Sequence, residues 1–148
     1  MPHQIIEVSS SVADMLDLDD LVCELHEVAA KQEAWPLGGL RTRIHIASRG
    51  LVADQSPNLG FIAVYLRIAE GRSIEIRKAV GEALFTCLCE HIDSQVRDAP
   101  LALSYEIQEI IAETRWNRNR VPEFMSVQES SSWARNCLKK ICKSYVHS

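Results

Sequence analysis

Hydrophobic and polar positions change period several times along the chain, and each change marks an element. Between Gln4 and Val8 the apolar run of Ile5, Ile6 and Val8 predicts a strand that starts almost at the first residue. Helical spacing follows: Val12, Met15, Leu16, Leu18, Leu21, Val22, Leu25, Val28 and Ala29 recur on one side. Asp14, Asp17, Asp19, Asp20, Glu24 and Glu27 supply a solvated side, which predicts a helix over residues 13–33. Trp35-Pro36-Leu37-Gly38-Gly39 breaks that pattern. From Leu40 to Ala47, Leu40, Thr42, Ile44 and Ile46 then alternate with Arg41, Arg43, His45 and Ala47, a second strand with a cationic face.

A loop over residues 48–60 leads to Phe61–Ile68, a third strand, which Glu70-Gly71-Arg72-Ser73 ends. Ser73 is suited to cap a second helix, with an apolar face through Ile76, Ala79, Val80, Ala83, Leu84, Cys87, Leu88, Ile92 and Val96. Pro100 introduces a fourth strand over Leu101–Ile110. Strand, helix and strand thus occur twice, offset by about 60 residues. One β-α-β unit buries too little surface to stand alone. The fold class expected is α+β: two tandem β-α-β units, residues 2–50 and 61–111, forming a four-stranded sheet backed by two helices, with the strands of each unit parallel. The helices leave one face of the sheet to be covered, and a layer from another subunit in a closed oligomer covers it most simply.

The domain is expected to span residues 1–121, followed by an extension at 122–148. Trp116-Asn117-Arg118-Asn119-Arg120 and Ser130-Ser131-Ser132 are loop-like, and the extension is either a weakly ordered tail or carries a short basic helix between Trp133 and Val146. A net charge of -4 offers no basic field for nucleic acid. No apolar run approaches the ~18 residues of a membrane span, and no signal peptide opens the chain, so a cytoplasmic protein is expected. Cysteines at positions 23, 87, 89, 137 and 142 lack metal-ligand spacing and are read as reduced thiols.

The chemistry starts at Met1-Pro2. Methionine before a small residue is expected to be removed, and Pro2 then carries a secondary amine able to accept and donate a proton. At the head of a strand its missing N–H costs nothing. Nearby cations and an apolar setting disfavour the protonated amine, which suits a general base.

Four dispersed blocks carry a family resemblance: Pro2-His3-Gln4-Ile5-Ile6-Glu7, Pro36-Leu37-Gly38-Gly39-Leu40-Arg41-Thr42-Arg43-Ile44-His45, Gly71-Arg72-Ser73-Ile74-Glu75 and Leu101-Ala102-Leu103-Ser104-Tyr105-Glu106-Ile107. In order and spacing they resemble the 5-carboxymethyl-2-hydroxymuconate Δ-isomerases of the tautomerase superfamily, over roughly residues 2–121. The second half is also similar to the short subunit of 4-oxalocrotonate tautomerase. The resemblance implies the tautomerase β-α-β fold, a homotrimer, and an isomerase of aromatic-compound catabolism that moves a double bond in an unsaturated diacid. Pro2 would be the catalytic base and acid, with Arg41 and Arg72 gripping carboxylates and Arg43 a further substrate-binding residue. Aligned against each other, the halves are incomplete: Tyr105 stands where the first half has Arg41, and Arg72 has no counterpart in the first half. One full site must therefore combine Pro2, Arg41 and an Arg72 from the same or a neighbouring chain. Such chemistry needs no metal or organic cofactor. Two other readings keep the fold. In one, the chain is a hydratase or dehalogenase of acrylic acids, with Glu106 or Glu7 activating water. In the other, it is a trimeric binding protein without turnover.

Overall fold

The computed structural model describes residues 1–125. Strict alternation organises strand β1, His3–Ser9: Gln4, Ile6 and Val8 are buried on one side, and His3, Ile5 and Glu7 are half-buried on the other. β1 runs parallel to β2 (Arg41–Ala47), with His3 opposite Arg41, and antiparallel to β3 (Gly60–Ala69), with His3 opposite Arg67. β3 in turn runs parallel to β4 (Leu101–Ile110), Gly60 facing Leu101. The mixed sheet has the order β2-β1-β3-β4, so the two first strands of the β-α-β units form its centre.

The helical segment predicted over 13–33 is two helices. α1 is a single turn, Ser10–Ala13, and α2 spans Leu18–Ala30. The break follows from local hydrogen bonding. Asp14 closes α1 with its N–H on the Val12 carbonyl, and the Asp17 carboxylate accepts the Asp20 N–H at 3.0 Å to cap α2. α2 stops short of residue 33 because side chains claim its last carbonyls: Trp35 Nε1 donates to Ala29 and Gln32 Nε2 to Val28. The long helix α3, Ile74–Val96, starts where expected, the Ser73 hydroxyl accepting the Ile76 N–H. Its buried stripe is narrower than the periodicity suggested. Val80, Leu84, Leu88, His91 and Ile92 are buried, whereas Ile76, Ala79 and Ala83 are exposed. The stripe follows the i, i+4 row that meets both the sheet and α2, and the small alanines flank it toward solvent.

Both long helices cover the same face of the sheet. Ile6, Val8, Ile62 and Val64 pack with Leu21, Leu25, Leu88 and Ile92, while Leu66 and Ile68 pack with Ala29, Trp35, Val80 and Leu84. Between the helices, buried His91 has a determinable tautomer. Gln95 Oε1 accepts the Asp17 N–H, which fixes its amide so that Nε2 donates to His91 Nε2; the ring proton therefore sits on Nδ1 and is donated to Glu24, 2.7 Å away. The opposite sheet face is half-buried around Ile5, Ala63 and Tyr65 and exposed at Arg43, His45, Glu106 and Gln108. Cys87 and Cys89 are free thiols, but Cys23 is disulfide-bonded, which corrects the expectation of a fully reduced set. The expected helix between Trp133 and Val146 lies outside the described residues.

Gly60 begins β3 where no side chain fits: a Cβ there would lie 2.8 Å from Val12 Cγ2 and 2.9 Å from Leu101 Cδ2. Because those neighbours are core side chains held between α1 and β4, Gly60→Ala is expected to destabilise the fold by about 1–3 kcal/mol. Urea unfolding checks this, and an unchanged midpoint would mean that the strand start relaxes freely.

Candidate active site

The N-terminal end of β1 is where functional residues converge. Pro2 is buried, and its carbonyl accepts the Arg41 N–H at 3.1 Å, which begins the β1–β2 ladder. Behind it the turn Leu37–Gly39 comes so close that a Cβ on Gly39 would stand 3.3 Å from Pro2 Cδ. Glycine at this position admits the proline ring.

Three arginines surround the chain terminus. Burial first, and then the charges of Arg115, Arg72 and Arg41, hold the Met1 amine below the ordinary value for a chain terminus. That amine occupies the region into which a Pro2 nitrogen freed of Met1 would open. Arg41 donates through Nη1 to the Gly39 carbonyl (3.2 Å) and through Nη2 to Asn119 Oδ1 (3.5 Å). Arg72 follows Gly71, whose φ of +101° makes the turn out of β3. It donates to the carbonyls of Ala34 (3.0 Å) and Ala69 (2.9 Å), a fixed geometry within its own chain with no bond to Glu75. None of the three arginines forms an ion pair with a carboxylate among the described residues. Arg43 stands apart from this group. It is exposed on the open sheet face, where its charge, after burial and Arg41, helps to lower the pKa of His3.

Arg115 and Asn119 are the members that sequence reasoning passed over. They fall in a loop without periodicity, and an arginine-rich polar stretch after a last strand resembles any solvated loop. Only its return across the sheet edge brings it to the site. Asn119 holds it there, donating to the Gly38 carbonyl at 2.9 Å while accepting from Arg41.

Tyr105 is not the counterpart of Arg41. It stands as far beyond Pro100 as Arg41 stands beyond Pro36, yet it pairs with Val64 and turns to the helix face, whereas Arg41 pairs with His3 on the open face. A one-residue difference in register reverses the side. Burial pushes the Tyr105 hydroxyl far up, with Cys87 adding to the shift, so it stays neutral and donates to Gln4 Oε1 at 2.7 Å. Gln4 in turn donates to Thr42 Oγ1, which lies 2.8 Å from His26 Nδ1. This buried polar chain anchors β1 two residues from Pro2. Glu7 and Glu106 do not meet the amine: Glu7 pairs with His45, Glu106 pairs with Tyr65, and the charges acting on the amine are arginines alone. A pocket of about 170 Å³ lined by Ser9, Ser11, Leu51, Gln55 and Leu59 lies at the other end of β1, about 20 Å away by strand length.

A sheet of two paired β-α-β units, with a buried Pro2 at the head of its first strand and a chain terminus among cations, defines a chain of the tautomerase class. The 5-carboxymethyl-2-hydroxymuconate isomerase family model matches residues 2–125. A 5-carboxymethyl-2-hydroxymuconate Delta-isomerase of Escherichia coli is 32% identical over 121 residues, 82% of this chain and 96% of its own. The crystal structure of a 5-carboxymethyl-2-hydroxymuconate isomerase from Deinococcus radiodurans R1 superposes with a TM-score of 0.75 at 30% identity, covering 84% of this chain and 95% of that one. A fused 4-OT, a wild-type symmetric trimer, shares the fold at a TM-score of 0.52 and 15% identity, over 89% of this chain and 98% of its own. The chain belongs to the 5-carboxymethyl-2-hydroxymuconate isomerase family.

Because a nearby cation disfavours the protonated amine, Arg41→Gln is expected to raise the pKa of the terminal amine. The pH dependence of its reaction with an amine-directed reagent measures this. An unchanged titration would separate Arg41 from the terminus.

Proposed function

We propose that this protein is a cofactor-independent isomerase of 5-carboxymethyl-2-hydroxymuconate, with the Pro2 amine, exposed by loss of Met1, as its general base and acid. The observation that carries this reading is a partly buried terminal amine, its pKa lowered by desolvation and by arginine charges, beside arginines that have no carboxylate partner among the described residues. Such a site calls for an anionic ligand and disfavours the protonated form of its amine. The amine takes a proton from one end of the conjugated enol, charge spreads along the dienolate, and the proton returns to carbon at the other end. Arg41 and Arg72 hold carboxylates and steady the oxygen on which charge accumulates. Arg43, on the adjoining open face, is the outermost substrate contact.

The assembly proposed is a homotrimer, supported by the half-buried face around Ile5, Ala63 and Tyr65, which a neighbouring subunit would complete. No helix among the described residues is long and apolar enough to cross a membrane. The proposed setting is the cytoplasm, in the breakdown of aromatic compounds.

Intact mass and turnover test the mechanism together. The expected mass lacks methionine, and Pro2→Ala is expected to lower kcat by about 10²–10⁴-fold. Arg41→Gln is expected to raise KM by about 10–100-fold, as loss of a charge-assisted hydrogen bond does. Full activity in a chain that keeps Met1 would overturn the role of Pro2.

A further inference from the structure

The segment between β4 and residue 125 is tied down at both ends beside the site. At one end the Ala112 N–H donates to Glu70 Oε1 at 2.9 Å, two residues before Arg72. At the other, Asn119 bridges Arg41 and the Gly38 carbonyl, and Val121–Phe124 packs on the same turn, where Pro122 Cγ would lie 2.8 Å from a Cβ on Gly38. Arg115 lies between these ties, just after the turn Ala112–Thr114, and its N–H donates to the Ala112 carbonyl. The stretch is thus held across the space between Arg72 and Arg41.

One nitrogen of the half-buried Arg115 guanidinium is unsatisfied there. Its Nη1 is buried without a hydrogen-bond partner. Among the described residues Arg77 Nε shares that condition, but Arg77 already pairs with Glu109 at 3.0 Å. Arg115 has no ion pair at all among the described residues. A buried cationic donor without a partner is costly and is retained where a ligand completes it. Its planar fork matches a carboxylate.

We propose that Arg115 is a third carboxylate-binding residue of this site and that it selects tricarboxylic over dicarboxylic substrates. The inference rests on the isomerase reading above and deepens it. A 5-carboxymethyl-2-hydroxymuconate carries two carboxylates on its six-carbon chain and a third on its carboxymethyl arm. Arg41 and Arg72 account for two, and Arg115 receives the third.

Arg115→Gln and Arg115→Lys, compared on 5-carboxymethyl-2-hydroxymuconate and on 2-hydroxymuconate without the arm, test this. Arg115→Gln is expected to raise the ratio of the triacid KM to the diacid KM by about 10–100-fold, whatever change the lost charge makes to the amine on both substrates alike; Arg115→Lys recovers part of that ratio. Equal loss on both substrates, or none on either, overturns the proposal while leaving the isomerase standing. A binding measurement keeps the two claims apart. By calorimetry, wild type should prefer propane-1,2,3-tricarboxylate to pentanedioate by about 10-fold or more, and Arg115→Gln should lose that preference. If neither muconate turns over but the preference and its loss persist, the isomerase reading fails and Arg115 keeps its role. No preference in wild type overturns the role of Arg115. Should Arg115→Gln fail to fold, the KM ratio of triacid to diacid in Arg115→Lys decides, and a ratio equal to wild type overturns it.

Discussion

The first strand of this chain lies in the interior of its sheet, hydrogen-bonded to β2 on one edge and β3 on the other. A chain terminus is ordinarily free to fray, since little holds it. Here the ladder begins at Pro2 itself, whose carbonyl takes the Arg41 N–H, and the buried Gln4 is tied to Thr42 and Tyr105. Proline suits the first position because it has no N–H to leave unpaired. The position of the terminal amine is therefore a property of the sheet, and the elements that meet that end of β1 become its surroundings: the glycine turn before β2, the turn before α3 and the segment after β4.

Those surroundings are electrically one-sided. Arg41 and Arg72 are steadied by neutral backbone carbonyls and an asparagine amide, and Arg115 by nothing that carries charge. Carbonyl partners fix a guanidinium in place without neutralising it, so the field at the terminus stays positive. A protonated amine is disfavoured and an anion is favoured by the same arrangement. Two other arginines do meet a carboxylate, Arg77 with Glu109 and Arg120 with Glu123.

The polar bridge between α2 and α3 acts differently. Glu24, His91, Gln95 and Asp17 satisfy one another with a single consistent set of donors and acceptors, which orients two helices whose apolar stripes alone would tolerate rotation. With the helices fixed, Trp35 closes the end of α2 and brings the Ala34 carbonyl to Arg72.

Period and punctuation in the sequence determined the four strands, the start of α3 at Ser73 and the doubling of the β-α-β unit, because these depend on local alternation, helical spacing and turn residues. Pro2, Arg41 and Arg72 were marked by the resemblance of four dispersed sequence blocks to the family. Local hydrogen bonding that competes with helical periodicity was less legible: Asp17 could be an exposed helix residue or a cap, and only the packing of α1 and α2 decided for the cap. The place of Arg115 and the facing of Tyr105 were decided by tertiary structure alone. Tyr105 turns inward because the second pair of strands is offset by one residue from the first, a relation between strands that no single stretch of sequence contains. Arg115 reaches the terminus because a loop without periodicity is fastened by Glu70 and Asn119, contacts between residues far apart in the chain, whose closeness exists only once the sheet has formed.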